Sequence, residues 1–411
     1  MTNYLLPTFA FLSLVTAAAA EDWPQFRGPN RDDVSKETGL LKSWPQDGPP
    51  LAWQVKGLGS GYAGVSVVGD RIYTLGAHGE VSKVLVLQRD NGKVVWSAEV
   101  GPAGGDVGCT PAVDGDRVYT LTGKEGDIVC LQSKDGRRVW HRNLLKEFGG
   151  AIQQWHYCES PLVDGDHVIV TPGGKGATMV ALDKKTGETV WKCAIPLKDP
   201  QAGYSSAVIA EVGGVKQYVR LLDGGLVGVS TDGKPLWTYE KFRPGAINVS
   251  TPIVLKDHVL AVSGYGRGGA LLKLTANGKE VKAEEIYLKR ELTNKHGGVL
   301  VVGDYAYGDT DDSGRPYCAE VRTGKVVWKR DANEGTGRRS ASVTYADSRL
   351  YFRYANGIVA LVEASPAGYK ETGSFEVKTA GEAWGHPVVA GGMLYLREQD
   401  SLYCYDVREK K

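Results

Sequence analysis

One short phrase recurs down this chain. It reads GDRIY at 69–73, GDRVY at 115–119, GDHVI at 165–169, GGVKQY at 213–218, KDHVL at 256–260, GDYAY at 303–307, ADSRLY at 346–351 and GGMLY at 391–395. Its second residues are Asp70, Asp116, Asp166, Gly214, Asp257, Asp304, Asp347 and Gly392, separated by 46, 50, 48, 43, 47, 43 and 45 residues. A strand-rich unit with a period in the forties is a propeller blade. One such unit cannot bury its apolar face alone and must pack on copies of itself. Residues 51–411 divide by eight into units of close to 45, so the repeat fills the chain.

Within a unit, apolar runs of four to eight residues are split by turns rich in Gly, Asp and Asn. TPAV (110–113) precedes a GD turn, MVALD (179–183) precedes KKTG, and a strand ending in Trp follows. That pattern predicts antiparallel hairpins, because Gly and Asn tolerate positive φ and Asp bonds its own backbone. Four strands in each of eight units predict about 32 strands and no amphipathic helix. Trp96, Trp140, Trp191, Trp237 and Trp328 each stand four residues after a turn glycine and are expected to pack between blades. Blades five and seven are expected to lack this Trp, with Lys282 and Thr372 in its place. The last unit, 385–411, holds three strands. LAWQV at 51–55, which carries Trp53, is expected to complete that blade and close an eight-bladed all-β ring.

Residues 1–20 read as a signal peptide: an apolar core at 5–15, then Ala18-Ala19-Ala20 as a cleavage site, though without a basic residue before the core. The apolar run is too short to span a membrane comfortably. Residues 21–50 form an extension and 51–411 a single domain, expected to be monomeric and either periplasmic or secreted. Lys and Arg number 49 against 48 Asp and Glu, so no basic stripe points to nucleic acid. Of six cysteines, Cys130, Cys318 and Cys404 align with Ala181 as core residues of different blades. Cys109 and Cys158, on adjacent blades, leave a bridge open.

ALDKKTGETVW (181–191) matches in full the docking motif A-x-D-x-x-T-G-x-x-x-W of quinoprotein-type propellers, and AEVRTGKVVW (319–328) and LQSKDGRRVW (131–140) are degraded copies. After residue 51 the chain resembles the pyrroloquinoline-quinone-like (PQQ-like) repeat family, and DWPQFRGPNRDDVS (22–35) is similar to the start of exported bacterial members. The resemblance implies one of two roles. One pole is the PQQ-dependent alcohol dehydrogenases with bound calcium. The other is BamB-like scaffolds without cofactor. The adjacent-cysteine pair of the dehydrogenases is missing, as is the lipid-bearing cysteine of the scaffolds.

The loops that feed the first strand of each blade differ from one another, as loops at a binding rim should. They offer Tyr62, Trp155, His156, Tyr157, Glu159, Tyr204, Asn248, His296, Arg338, Arg339, Trp384 and His386. Such a mouth suits a protein segment, a carbohydrate or a planar or anionic small molecule, with Arg as fork and Trp as stacking face. A quinoenzyme would need a general base there, with Glu159 or a rim His as candidates. DTDDSGRPYCAE (309–320) places Asp309, Asp311, Ser313 and Glu320 in calcium-loop register. No helices flank it, so a hairpin turn is the plainer reading. GYGRGGA (264–270) joins two strands and reads as a hairpin rather than a phosphate loop. A non-enzymatic binding or scaffold module, with no resident cofactor, is the expectation. An oxidoreductase using PQQ with calcium on an alcohol or sugar is the alternative.

Overall fold

In a computed structural model the chain is described over residues 22–105, 108–242, 247–331 and 338–410. The expected signal peptide, and positions 246 and 335–337 of two rim loops, lie outside them. The described residues form 32 strands in eight four-stranded antiparallel sheets. Blade one shows the plan: a three-residue inner strand Ser66–Val68, then Arg71–His78, Val81–Gln88 and the outer strand Val94–Pro102. Each GD phrase is the turn between the first two strands. Helix is confined, among the described residues, to Leu144–Phe148 and a 3₁₀ turn at Asp311–Ser313.

Blade eight contains three strands from the C-terminus and Leu51–Lys56 from the N-terminus. The latter pairs antiparallel with Ser401–Asp406, so Trp53 faces Cys404 and Lys56 faces Ser401. The ring therefore has no open blade, as the orphan strand predicted.

Neighbouring blades are joined by the outer-strand aromatics. Trp96, Trp140, Trp191 and Trp328 donate their indole N–H to the next blade, at Ser133 O, Lys184 O, Thr231 O and Ser365 O, over 2.8–3.1 Å. For Trp96, Trp140 and Trp191 the turn glycine of that next blade lies under the ring. A methyl group on Gly136 would stand 2.6 Å from Trp96, and one on Gly92 would stand 2.7 Å from Trp53. The alignment of cysteines also holds: Cys130 faces Trp140, Cys318 faces Trp328 and Ala181 faces Trp191. All six cysteines are free thiols, so Cys109 and Cys158 are not bridged.

Two register expectations need correction. In blade five the docking position is Tyr287, not Lys282: it faces Leu271 and donates to Val321 O of blade six at 2.8 Å. The strands of that hairpin, Gly268–Asn277 and Glu280–Lys289, are ten residues each, so counting from the turn glycine falls short of the seam. In blade seven the position is Gly373, which faces Leu361. Trp44 of the N-terminal extension fills the space beside it, buried among Tyr351, Val389 and Tyr405 at the seam of blades seven and eight.

The extension also closes the central channel. Residues 22–35 enter beside the GD turn of blade one, where Asp22 accepts from Gly69 N. Trp23 exchanges backbone bonds with Val67, Pro24 O accepts from Val113 N, and Asp33 and Ser35 bond Tyr345. Nothing in the hydrophobic periodicity marks this segment, because it is neither helix nor strand and its partners lie on seven blades.

Candidate functional site

At the opposite end of the channel, the loops before the inner strands form a mouth. From blade one to blade five its rim is tied by a chain of four hydroxyl acceptors. Gly64 N donates to Thr110 Oγ1, Thr110 N to Ser160 Oγ, Ser160 N to Ser206 Oγ and Ser206 N to Thr251 Oγ1, each at 2.9–3.0 Å. In three of these blades the hydroxyl precedes a proline that opens the inner strand (Thr110-Pro111, Ser160-Pro161, Thr251-Pro252). Proline holds the residue before it extended, which fixes that hydroxyl at the seam. In blade eight the equivalent position is His386, before Pro387.

Above this girdle lies a cavity of about 480 Å³, in the range of small-ligand sites. Seven of the twelve rim residues named from sequence line it: Tyr62, Trp155, His156, Tyr204, His296, Trp384 and His386. On one side Tyr62, Trp384 and His296 stack in sequence, with centroids 4.5 and 4.3 Å apart. On the side of blades three and four, Trp155 meets Tyr204 at 5.8 Å. Trp155 is half exposed. Phe26 and Arg27 of the channel segment make the floor, Phe26 edge-on to His386 at 5.0 Å. Burial, with Lys295 alongside, pushes the His296 imidazole down to about 4, and its Nδ1 lies 3.1 Å from Ser340 Oγ. His296 is therefore a neutral ring at ordinary pH. His386 Nδ1 lies 3.1 Å from the Asp33 carboxylate, which also takes Arg27 Nε at 2.5 Å. Burial opposes the Asp33 charge, yet Arg27 and His386 outweigh it and hold this carboxyl below its ordinary value.

The other five rim residues are not among the residues lining the cavity. Tyr157 is buried and donates to Pro172 O. Glu159 is buried, ion-paired to Arg220, and accepts from Thr171 N at 2.6 Å. Asn248 is buried between Leu222 O and Ser263 Oγ. Arg338 forms a two-pronged pair with Glu371 at 2.7 and 2.9 Å. Arg339 pairs with Glu382. Sequence reading missed Phe26 and Arg27, and also Tyr265 and Lys295. Tyr265 sits at φ 57° in the GYGRGGA hairpin, and the Lys295 ammonium stands 5.3 Å from its ring centre. All four lie in or beside stretches the sequence singles out, Phe26 and Arg27 in DWPQFRGPNRDDVS, Tyr265 in GYGRGGA and Lys295 next to His296, but nothing local marks them as facing the mouth.

The calcium-loop residues do not converge. Asp309 is buried, accepts from Ala341 N, and is pushed well up by burial. Asp311 accepts from Gly266 N, and Ser313 meets Thr310 in the hairpin turn. Glu320, facing Tyr305, accepts from Thr323 at the other end of the hairpin strand. Among the described residues no three His, Cys, Asp or Glu groups gather to hold a metal. The mouth does not fit calcium with PQQ either. No Asp or Glu is among its described lining residues, calcium wants carboxylate oxygens, and Glu159 is committed to Arg220.

Among the described residues no helix is long and apolar enough to cross a membrane. The sequence model of the family described as outer membrane protein assembly factor BamB matches residues 80–330. The assembly factor of that name from Burkholderia pseudomallei is 27% identical over 351 residues, 81% of each chain. The crystal structure of BamB from Moraxella catarrhalis superposes with a TM-score of 0.60 at 15% identity, covering 87% of this chain and 99% of that one. Quinohemoprotein alcohol dehydrogenase from Comamonas testosteroni superposes with a TM-score of 0.66 at 14% identity, covering 95% and 81%. At these identities the two superpositions establish a shared fold, and the fold serves both a named assembly factor and a named dehydrogenase.

Proposed function

The chain belongs to the family described as outer membrane protein assembly factor BamB, and from that premise we propose that it is an exported, non-enzymatic propeller that holds a protein segment or small ligand at its rim-face mouth. The observation that carries this reading is the aromatic lining: two groups of rings, Tyr62–Trp384–His296 and Trp155–Tyr204, face one concave opening sealed below. Aromatic anchors in a pocket are the usual energetic centre of a recognition surface. The apolar run at 5–15 supports a periplasmic or extracellular site of action. No Asp or Glu is among the described lining residues, so a general base at the mouth would have to be one of its histidines, of which His296 is stacked on Trp384.

The test compares the wild-type protein with a Trp155→Ala/Trp384→Ala double variant of equal thermal stability. Partners captured from the periplasm by the first and lost by the second support the mouth; identical partner sets sink it. Alcohol-dependent dye reduction after adding PQQ and calcium would replace the scaffold reading with that of an oxidoreductase.

A further inference from the structure

The segment that fills the channel is held as a bound peptide is held. Trp23 is buried in a pocket between blades one and eight, against Leu58, Val67, Val388 and Ala390. Arg27 donates from Nη1 to Thr251 O at 3.2 Å and from Nη2 to Val299 O at 2.7 Å, on blades five and six. Arg31 reaches the opposite wall, with Nη1 on Pro161 O at 2.9 Å and Nη2 on Ser160 O at 2.7 Å. Both guanidinium groups are more than nine-tenths buried. Arg31 has no carboxylate partner among its hydrogen bonds: burial, with Arg27 nearby, lowers it to about 9. Its acceptors on the ring are the main-chain carbonyls of Ser160 and Pro161, Gln25 Oε1 of the segment itself also takes Nη1 at 3.0 Å, and Ser160 is fixed there by the hydroxyl girdle.

The backbone supports the same view. Arg27, Arg31 and Asp33 adopt φ of 63°, 58° and 58°, a conformation that L-residues enter at a cost. Strain of this kind persists where surrounding contacts over-determine it, as at ligand clamps. All three strained residues have side chains anchored by buried hydrogen bonds or ion pairs. The link to the rest of the extension is exposed at Thr38 and Gly39, and a side chain on Gly39 would meet nothing within 4 Å.

We propose that the channel is a peptide-recognition site whose resident ligand is the chain's own segment 22–35, read by a tryptophan pocket and two guanidinium sockets. The pattern it reads is Trp-Pro, then Arg at the fourth and eighth positions after Pro24's neighbour Trp23, then Asp33 for the Arg27 and His386 pair. The same segment from a second copy of this chain satisfies every contact, so the segment is exchangeable. Phe26 and Arg27 of the segment also floor the aromatic cavity above, so the test reads binding of the segment peptide itself and does not depend on what the mouth binds.

A protease recognition sequence inserted between Thr38 and Gly39 of the full chain allows the link to be cut after folding. The freed segment is expected to stay with the ring through gel filtration. A fluorescein-labelled synthetic peptide of residues 22–38 is expected to exchange into its place, read by anisotropy. A peptide carrying Arg27→Gln and Arg31→Gln should bind roughly 100-fold more weakly, because each lost guanidinium leaves charged hydrogen bonds unmade. Three results would overturn the proposal: a segment that leaves while no labelled peptide enters a still-folded ring, equal binding of the double-Gln peptide, or a ring that unfolds once the link is cut.

Discussion

Trp44 packs its side chain onto Gly373, the one blade-seven residue that stands where neighbouring blades carry a docking aromatic. A methyl group on Gly373 would lie 2.6 Å from Trp44 Cβ. The extension thus supplies from outside the repeat the ring that blade seven lacks. Trp44→Ala is expected to cost about 3–5 kcal/mol, the cost of truncating a buried Trp. Gly373→Ala, which adds one methyl to the same contact, should also destabilise. Denaturant melts of both variants check this, and a Trp44→Ala loss below that of an exposed residue would refute the seam role.

Trp155 and Glu159 lie four residues apart in one loop and should respond in opposite ways. Trp155 is 50% exposed at the mouth, so Trp155→Ala should leave the melting temperature nearly unchanged and weaken ligand capture. Glu159 is 1% exposed against Arg220, so Glu159→Gln strands a buried cation and should cost about 3–5 kcal/mol. Thermal melts and capture assays on the same pair of variants separate the two roles.

His296 makes stability depend on pH in a defined window. Its folded value of about 4 lies below the ordinary 6.5, because burial disfavours the imidazolium. The unfolded chain therefore takes up this proton first. The contribution is full above pH 6.5 and is lost as pH falls toward 4. His296→Phe, which keeps a ring against Trp384, should flatten the stability profile across that window. An unchanged slope would show that His296 is not the group responsible.

Glu371 acts at lower pH. Burial opposes its charge, but the two bonds from Arg338 and one from Tyr369 hold its carboxyl at about 2, below the ordinary 4.5. Its contribution is present above pH 4.5 and is lost as pH falls toward 2. Glu371→Gln should reduce acid sensitivity there while lowering stability at pH 7, as acid titrations followed by circular dichroism can measure.

The ring was legible from the chain because blade formation is local and repeated. The GD turns, the spacing of Trp140 and Trp191, and the orphan strand with Trp53 all follow from short-range turn chemistry and period-two burial. Register failed at Lys282 and Thr372 because hairpin length sets where a strand meets its neighbour, and the blade-five hairpin is long. The mouth was legible as a set of unequal loops, which is why Tyr62, Trp384 and His296 could be named. It was not legible that Glu159, Asn248 and Arg338 turn inward, since that depends on partners such as Arg220 and Glu371 far along the chain. The segment 22–35 stood out as a motif, but its place in the channel was not legible, because Arg27 and Arg31 are read by carbonyls that only the finished ring brings together.

The pairing of Lys56 with Ser401 has a consequence in time. The strand made first among the blades finds its place last, after the C-terminal strands exist. Until then blade eight is short of one strand and the Trp53 seam with blade one is unmade. Residues 22–35 precede that strand and touch seven blades, so they must be within the channel before the circle shuts or enter it through an open end. Assembly of this protein is therefore a race between wrapping and closing. Loss of the strand Ser401–Asp406 would take away the partner of Leu51–Lys56 and leave the newborn chain permanently ajar.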